Sequence, residues 1–308
     1  QYIPDTKNDL CVYGDTDSRY IDLGEIYNLM FIENDEVMQI PESDTELANF
    51  GCFLVENYIN SIIKDTINNE CEYRNARKGF LKMNHEVTSR KAAFIKKKKY
   101  IMANIWEDGK LLKSPKLKYK GIELRRGSSS PRAKKILTKL VEKYMLENYD
   151  IEMLRKECLK LIQYLKTVKN KELVYLITSV SGLKEIKKDN NGIYSSDKTH
   201  IQMQLAVSWL NFIEKNKLTS EYRAPFDGQK MNYYYCNPDS GWKVIGIPDD
   251  VDMTTVPGLP EPDWNRMIIA SLIKPLLRYI LEKDEIDDED IMHWLLGVKT
   301  WQFNKLTT

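Results

Sequence analysis

Tyr13-Gly14-Asp15-Thr16-Asp17-Ser18 stands between two strand-like runs, Leu10-Cys11-Val12 before it and Arg19-Tyr20-Ile21-Asp22-Leu23 after it. Such runs on both sides of Gly-Asp-Thr-Asp predict a β-hairpin, because Gly and Asp tolerate the backbone angles of a tight turn. Asp15 and Asp17 are two positions apart, a spacing that puts both side chains on one face of a regular strand. Carboxylates crowded there repel each other, and each carries a desolvation cost. A hard divalent cation relieves both problems, since oxygen ligands are what Mg²⁺ takes.

The hexamer Tyr-Gly-Asp-Thr-Asp-Ser resembles the third polymerase motif of B-family, replicative DNA polymerases, and the chain as a whole looks most like the C-terminal part of those of tailed bacteriophages. The resemblance implies an α+β fold: an antiparallel palm sheet with a covering helix, followed by a mainly helical thumb. It implies template-directed addition of deoxynucleotides to a primer 3′-hydroxyl, with two Mg²⁺ ions (Mn²⁺ as a substitute). In that reading Asp17 bridges the metals, Asp15 is a secondary ligand or electrostatic support, and Thr16 shapes the turn. The partners implied are primer–template DNA and a dNTP, with a sliding clamp as a further candidate.

Bulk properties are compatible with this and narrow little. The chain has 308 residues, enough for two ordinary domains, and at 42% hydrophobic it can bury a core. No apolar run approaches the roughly 18 residues of a membrane span, so no membrane partner is expected. The resemblance places the protein in the cytoplasm, that of the host cell for a phage product. Five cysteines, at 11, 52, 71, 158 and 236, form no Cys-x-x-Cys pair. The three histidines, His85, His200 and His293, are scattered, which argues against histidine-centred metal or triad chemistry. Net charge is +1, but it conceals an asymmetry. Residues 20–63 hold nine acidic side chains and no Lys or Arg, while residues 90–126 hold thirteen basic ones against three acidic. So local a basic block points to a polyanion partner for that region.

Residues 24–44 read as a partly helical insertion or loop. Leu47, Phe50, Leu54, Tyr58, Ile62 and Ile63 then make a helical stripe over residues 46–69, with Ser43 or Thr45 placed to cap it. This is the helix expected to cover the sheet. Residues 78–86 return to strand-like alternation, and the resemblance puts Glu86, in sequence order, where the family delivers a further acidic residue near the metals. Phe94-Ile95-Lys96-Lys97-Lys98-Lys99-Tyr100 resembles the family's Lys-Lys-Arg-Tyr motif, with Lys99 in the place of Arg. The run 94–106 is expected to be a strand closed by a turn at Gly109. The resemblance brings Lys97, Lys98, Lys99 and Tyr100 to the minor groove of the duplex, where acceptors occur in every base pair. Without the resemblance, a lysine run is a solvated cationic edge.

A second basic strand runs over residues 116–127 and includes Arg125 and Arg126. Ser128-Ser129-Ser130-Pro131 then opens a helix, with Ser130 at the N-cap and Pro131 at the first helical position. Arg132, Lys134 and Lys135 fall in its first turn, where the helix dipole disfavours cations and a bound phosphate would offset them. Ser129, Ser130 and Arg132 are therefore DNA-binding candidates beside Arg125 and Arg126. This order resembles the palm-to-thumb junction of phage polymerases and sets domains at 1–126 and 127–308. Beyond it, helices are expected over 131–148, 150–169, 201–215 and 266–282, with a small β-element over 231–247. Leu173 to Ser181 is a strand or a short buried segment. Tyr233-Tyr234-Tyr235 reads as a half-buried strand in preference to a base-stacking platform. The ending Trp301 to Thr308 is a poor match to a clamp-binding peptide.

The sequence contains no Ser-Leu-Tyr-Pro motif, no Lys-x₃-Asn-Ser-x-Tyr-Gly fingers helix and no exonuclease motif. With Gln1 to Asp9 lacking the start of a domain, the expectation is one part of a divided or longer polymerase, inactive as this chain alone. An N-terminal part carrying exonuclease and fingers would complete it. The competing expectations are a non-catalytic, polymerase-derived DNA-binding or scaffold subunit and an RNA-copying palm protein.

Overall fold

The computed structural model describes residues 11–14, 18–30, 32–33, 36–37, 41, 43–79, 83–122, 128–147, 149–167 and 175–296. The chain is α+β with antiparallel sheets, and it divides into two compact units, Gln1–Gly121 and Ile122–Thr308. Among the described residues no helix is long and apolar enough to cross a membrane.

The first unit begins with the expected hairpin. Strands β1 (Cys11–Gly14) and β2 (Arg19–Ile21) pair Tyr13 with Tyr20 and Gly14 with Arg19, with an irregularity before Cys11 meets Ile21. Asp22 ends the hairpin and starts α1 (Leu23–Met30): its Oδ1 accepts the N–H groups of Gly24 and Glu25 at 2.8 and 3.2 Å. A two-residue hairpin follows, β3 (Ile32–Glu33) with β4 (Glu36–Val37). The covering helix is longer than its apolar stripe suggests. It runs as α2 (Asp44–Leu54), one π-helical turn over Val55–Ile59, and α3 (Asn60–Tyr73). Ser43 occupies the N-cap, but its hydroxyl makes no capping bond. Phe50 and Leu54 of α2 bury against Ile26 of α1, with Ile21, Leu23, Tyr27 and Ile59 around them. Where α2 meets the main sheet, Gly51 is so close to it that an added Cβ would lie 2.9 Å from Thr88 Oγ1.

That sheet is a three-stranded meander of β5 (Val87–Lys96), β6 (Lys99–Glu107) and β7 (Lys110–Lys120). Ile101, Ala103 and Ile105 are almost wholly buried in its central strand. The turn at Asp108-Gly109 falls where Gly109 predicted it, with both residues at positive φ. The lysine run departs from expectation: residues 94–106 are two strands, not one. Lys96 pairs with Lys99, and Lys97 and Lys98 form the turn between β5 and β6. The physical reason is charge and solvation. A single strand would hold four adjacent ammonium groups along the ladder, whereas a turn spreads them into water while Phe94 and Tyr100 pair behind them.

In the second unit, α4 (Pro131–Leu146) and α5 (Ile151–Thr167) are joined by an ion pair, Lys143 Nζ to Glu157 Oε1 at 2.6 Å. Asp150 caps α5 through the Met153 N–H. Leu176–Ser179 is a strand, β8. A 3₁₀ turn leads to the short hairpin of β9 (Lys187–Lys188) and β10 (Tyr194–Ser195). Helix α6 (Ile201–Lys215) occupies the residues its periodicity predicts. Strands β11 (Lys230–Tyr235) and β12 (Val244–Pro248) complete a three-stranded antiparallel sheet with β8, in the order β12-β11-β8. Helix α6 packs on β12, and the buried Trp209, Phe212 and Tyr234 form the heart of this core. The tyrosine triplet is indeed a half-buried strand: Tyr234 is buried and donates to the Pro260 carbonyl at 2.9 Å, with Tyr233 and Tyr235 partly exposed. A continuous helical stretch follows, α7 (Trp264–Ile268), a π-helical turn and α8 (Lys274–Ile280). Pro275, which has no N–H to donate, stands in the first turn of α8, just after the π turn. Helix α9 (Asp288–Leu296) ends the described chain.

Candidate nucleic-acid interface

Asp15 and Asp17, the carboxylates of the opening hexamer, lie outside the described residues, as do Thr16, Arg125 and Arg126. The strands that lead into and out of that turn are described, and they carry a feature the motif does not reveal. Tyr13 and Tyr20 form a box of four rings with Phe94 of β5 and Tyr100 of β6. Tyr13 stacks on Phe94 at 5.2 Å and 17°, and the other ring pairs lie 5.3 to 5.8 Å apart at tilted angles. Tyr20 donates its hydroxyl to that of Tyr100 at 3.3 Å. Burial, then the Tyr100 hydrogen bond and the neighbouring charges including Glu86, raises the Tyr20 phenol pKa. The hexamer and the lysine motif, some 80 residues apart in sequence, are thus packed against each other through their tyrosines.

The lysine turn is held as well as exposed. Lys97 and Lys98 are both exposed at its tip. Lys98 sits at φ +62°, a region few non-glycine residues enter. Its backbone N–H donates to the Tyr13 phenol oxygen at 2.8 Å. Along β7, Lys116, Lys118 and Lys120 alternate with Leu117 and Tyr119 and point to solvent. Lys118 pairs with Glu107 at 3.1 Å, and Glu107 Oε1 also accepts from the buried Asn104, whose Oδ1 takes the Ser89 hydroxyl at 2.6 Å. The Asn104 bond, followed by Lys118, lowers the Glu107 pKa and keeps that carboxylate charged. Half-buried Lys91 on β5 is pushed down to about 8 by burial and the adjacent Arg90.

Of residues 78–86, whose alternation suggests a strand, those described are not one: 78–79 lie in a turn, 83–86 have no regular structure, and β5 begins at Val87. His85 explains the break. Its ring stacks on Trp106 at 4.0 Å and 12°, its Nε2 lies 2.8 Å from Thr88 Oγ1, and its Nδ1 lies 3.9 Å from Cys52 Sγ. The chain turns inward to place that ring, and Glu86 emerges exposed beside it. The Glu86 carbonyl accepts the Asp108 N–H at 2.9 Å, so its backbone is fixed. Its carboxylate is near enough to contribute to the raised Tyr20 pKa. Burial lowers the His85 pKa against the opposing pull of the Val87 backbone and the Glu56 charge. The unfolded chain therefore binds a proton that the native state refuses, between the lowered native value and about 6.5. Stability is expected to fall as pH drops through that window, by at most about 1.4 kcal/mol per pH unit. Melting curves from pH 7.5 to 5 check this: His85→Gln flattens the dependence, and an unchanged slope would exclude His85 as its source.

In the second unit, Ser130 is a cap, as its sequence position predicts: its Oγ accepts the Ala133 N–H at 3.2 Å, with Pro131 next in line. Ser130 is 0% exposed, so the hydroxyl expected at a DNA contact is spent on the cap inside the unit. Ser128 to Ser130 run beside β8, with Ser129 bridged to Leu176, the Ser130 N–H on the Tyr175 carbonyl, and the Ile177 N–H on the Ser128 carbonyl. Ser129 is partly exposed and Arg132 is exposed.

No group of three or more His, Cys, Asp or Glu placed to hold a metal occurs among the described residues. The donors the sequence offers, Asp15, Asp17 and Glu86, are all oxygen ligands, the chemistry Mg²⁺ prefers. No protein-family model and no curated protein matches this chain. The ring box, the His85 stack and Lys91 escaped the sequence reading. The one available signal was the pairing of aromatic residues at the ends of both basic and acidic motifs.

Proposed function

We propose that the chain is the palm-to-thumb part of a B-family DNA polymerase, adding deoxynucleotides to a primer 3′-hydroxyl under template direction. The observation that carries this reading is the hexamer itself, on a β-hairpin whose Tyr13 and Tyr20 pack against the hairpin that bears the lysine run. Asp17 and Asp15 would hold the catalytic Mg²⁺ pair, with Glu86 beside them. When bound, the ions stabilise the attacking and leaving oxygens of the in-line displacement. The chain's own residues receive the duplex. Lys97 and Lys98 donate to minor-groove acceptors present in every base pair, testing pair geometry without reading sequence.

The residues that would grip the triphosphate and the second wall of the metal site belong to motifs this sequence does not contain, so activity requires the part that carries exonuclease, the rest of the palm and fingers. The test is primer extension by the chain alone and by the assembly that co-purifies with it, with dNTPs and with NTPs. Extension is expected only from the assembly and only with dNTPs. Extension by the chain alone overturns the incompleteness, and a preference for NTPs overturns the polymerase class.

Duplex affinity gives a second check. If about six phosphates are neutralised, log K falls with log salt at a slope of roughly −5. Replacing Lys97 and Lys98 together by Ala is expected to weaken primer–template binding about tenfold or more. Binding indifferent to that change removes the minor-groove role.

A further inference from the structure

The residue that opens the Gly-Asp turn and the residue at the tip of the lysine turn are bonded to each other, 85 positions apart. Lys98 is gripped at both ends of its backbone. Its N–H donates to Tyr13 at 2.8 Å, and Gly121 lies so close that an added Cβ would come within 2.2 Å of the Lys98 carbonyl oxygen. Gly121 is itself at φ +67°, so only a residue without a Cβ serves there. On the other side of the bond, the Tyr13 ring is stacked on Phe94, and its phenol cannot leave Lys98 without unstacking. Gly14 follows Tyr13 directly and pairs with Arg19 at the mouth of the turn. Movement of the lysine turn is therefore transmitted through one hydrogen bond and one aromatic stack to the backbone immediately before Asp15.

We propose that Tyr13 is a positioning residue that couples the seating of duplex DNA on the lysine turn to the geometry of the hairpin carrying Asp15 and Asp17. The inference rests on the polymerase reading above. It gives the minor-groove contact a consequence: a duplex that does not seat Lys97 and Lys98 leaves the end of β1 unset, so pair geometry behind the primer end is felt at the Gly14 backbone. Tyr20 and Tyr100 close the box but bond only each other in it, and they do not touch the Lys98 amide.

Hydrogen–deuterium exchange on the full chain, free and with a primer–template duplex, tests this for wild type, Tyr13→Phe and Tyr20→Phe. Phenylalanine keeps the ring stack and removes only the acceptor. In the free protein, exchange at the Lys98 amide is expected to be about fivefold faster in Tyr13→Phe, from the loss of one ordinary hydrogen bond. Duplex should slow exchange in wild type both in the peptide holding Lys97 and Lys98 and in the peptide holding Gly14. In Tyr13→Phe it should slow the first only, and in Tyr20→Phe it should slow both. Equal protection of the Gly14 peptide in Tyr13→Phe overturns the coupling and leaves the polymerase reading standing. Loss of that protection in Tyr20→Phe as well shows general loosening of the box and overturns the specific role of Tyr13. Failure of duplex to protect either peptide in wild type overturns both.

Discussion

Asp17→Asn in the assembled enzyme is expected to reduce primer extension by about a thousandfold or more, with primer–template affinity within about twofold of wild type. A thousandfold corresponds to about 4 kcal/mol of lost transition-state stabilisation, a fair loss for one oxygen ligand of a two-ion site. Asparagine keeps the size of the side chain and removes its charge, so under the proposed reading the site would lose a metal ligand with little change of side-chain volume. In the proposed reading DNA affinity would rest on other residues, the exposed lysine turn and the exposed cations of β7, and would have no reason to follow. The measurement separates the two classes of function the sequence allows. If synthesis is unchanged, the protein is a DNA-binding scaffold that keeps two crowded carboxylates for another reason. If binding falls together with synthesis, Asp17 supports the fold of the hairpin and its metal role is lost.

Gly246→Ala is expected to cost about 3 kcal/mol of stability in the second unit, the upper end of what overpacking a filled core costs. A Cβ at this position would lie 2.7 Å from Leu205 Cβ and 2.9 Å from its carbonyl oxygen. Neither is the tip of a flexible side chain, so relief requires moving α6 away from β12. That movement is resisted by a second bond at the same place, since the Gly246 N–H donates to Ser208 Oγ at 3.1 Å and Ser208 donates to the Leu205 carbonyl at 2.8 Å. For a unit of this size the melting temperature should drop by roughly 6–12 °C. A shift below one degree would mean that α6 and β12 do not approach as closely as described.

Ser208 and Gly246 show why the two kinds of information differ. Helix α6 was legible as a whole, because its apolar residues recur at helical spacing and Lys215 with Asn216 marks its end. Strands β11 and β12 were legible too, from their apolar and aromatic content. That a glycine in β12 exists to admit the backbone of α6 was not, since close approach is a relation between elements distant in sequence. The same holds at the start of α4. Ser130-Pro131 announces the helix through local chemistry, but whether the serine hydroxyl faces solvent or core depends on β8, which runs beside it.

The two paired strands that flank the opening hexamer were determined by their own residues, because alternation and apolar content are properties of a few neighbouring positions. The identity of its carboxylates, and the resemblance they carry, also belong to the sequence. What only the tertiary structure decided is what the hexamer touches. Four adjacent lysines have no periodicity to say that they turn a corner, and nothing local to Lys98 predicts a left-handed backbone. That conformation is maintained by Tyr13 on one side and Gly121 on the other, residues far away in the chain. Local chemistry chose the two hairpins; packing of their aromatic residues placed one against the other.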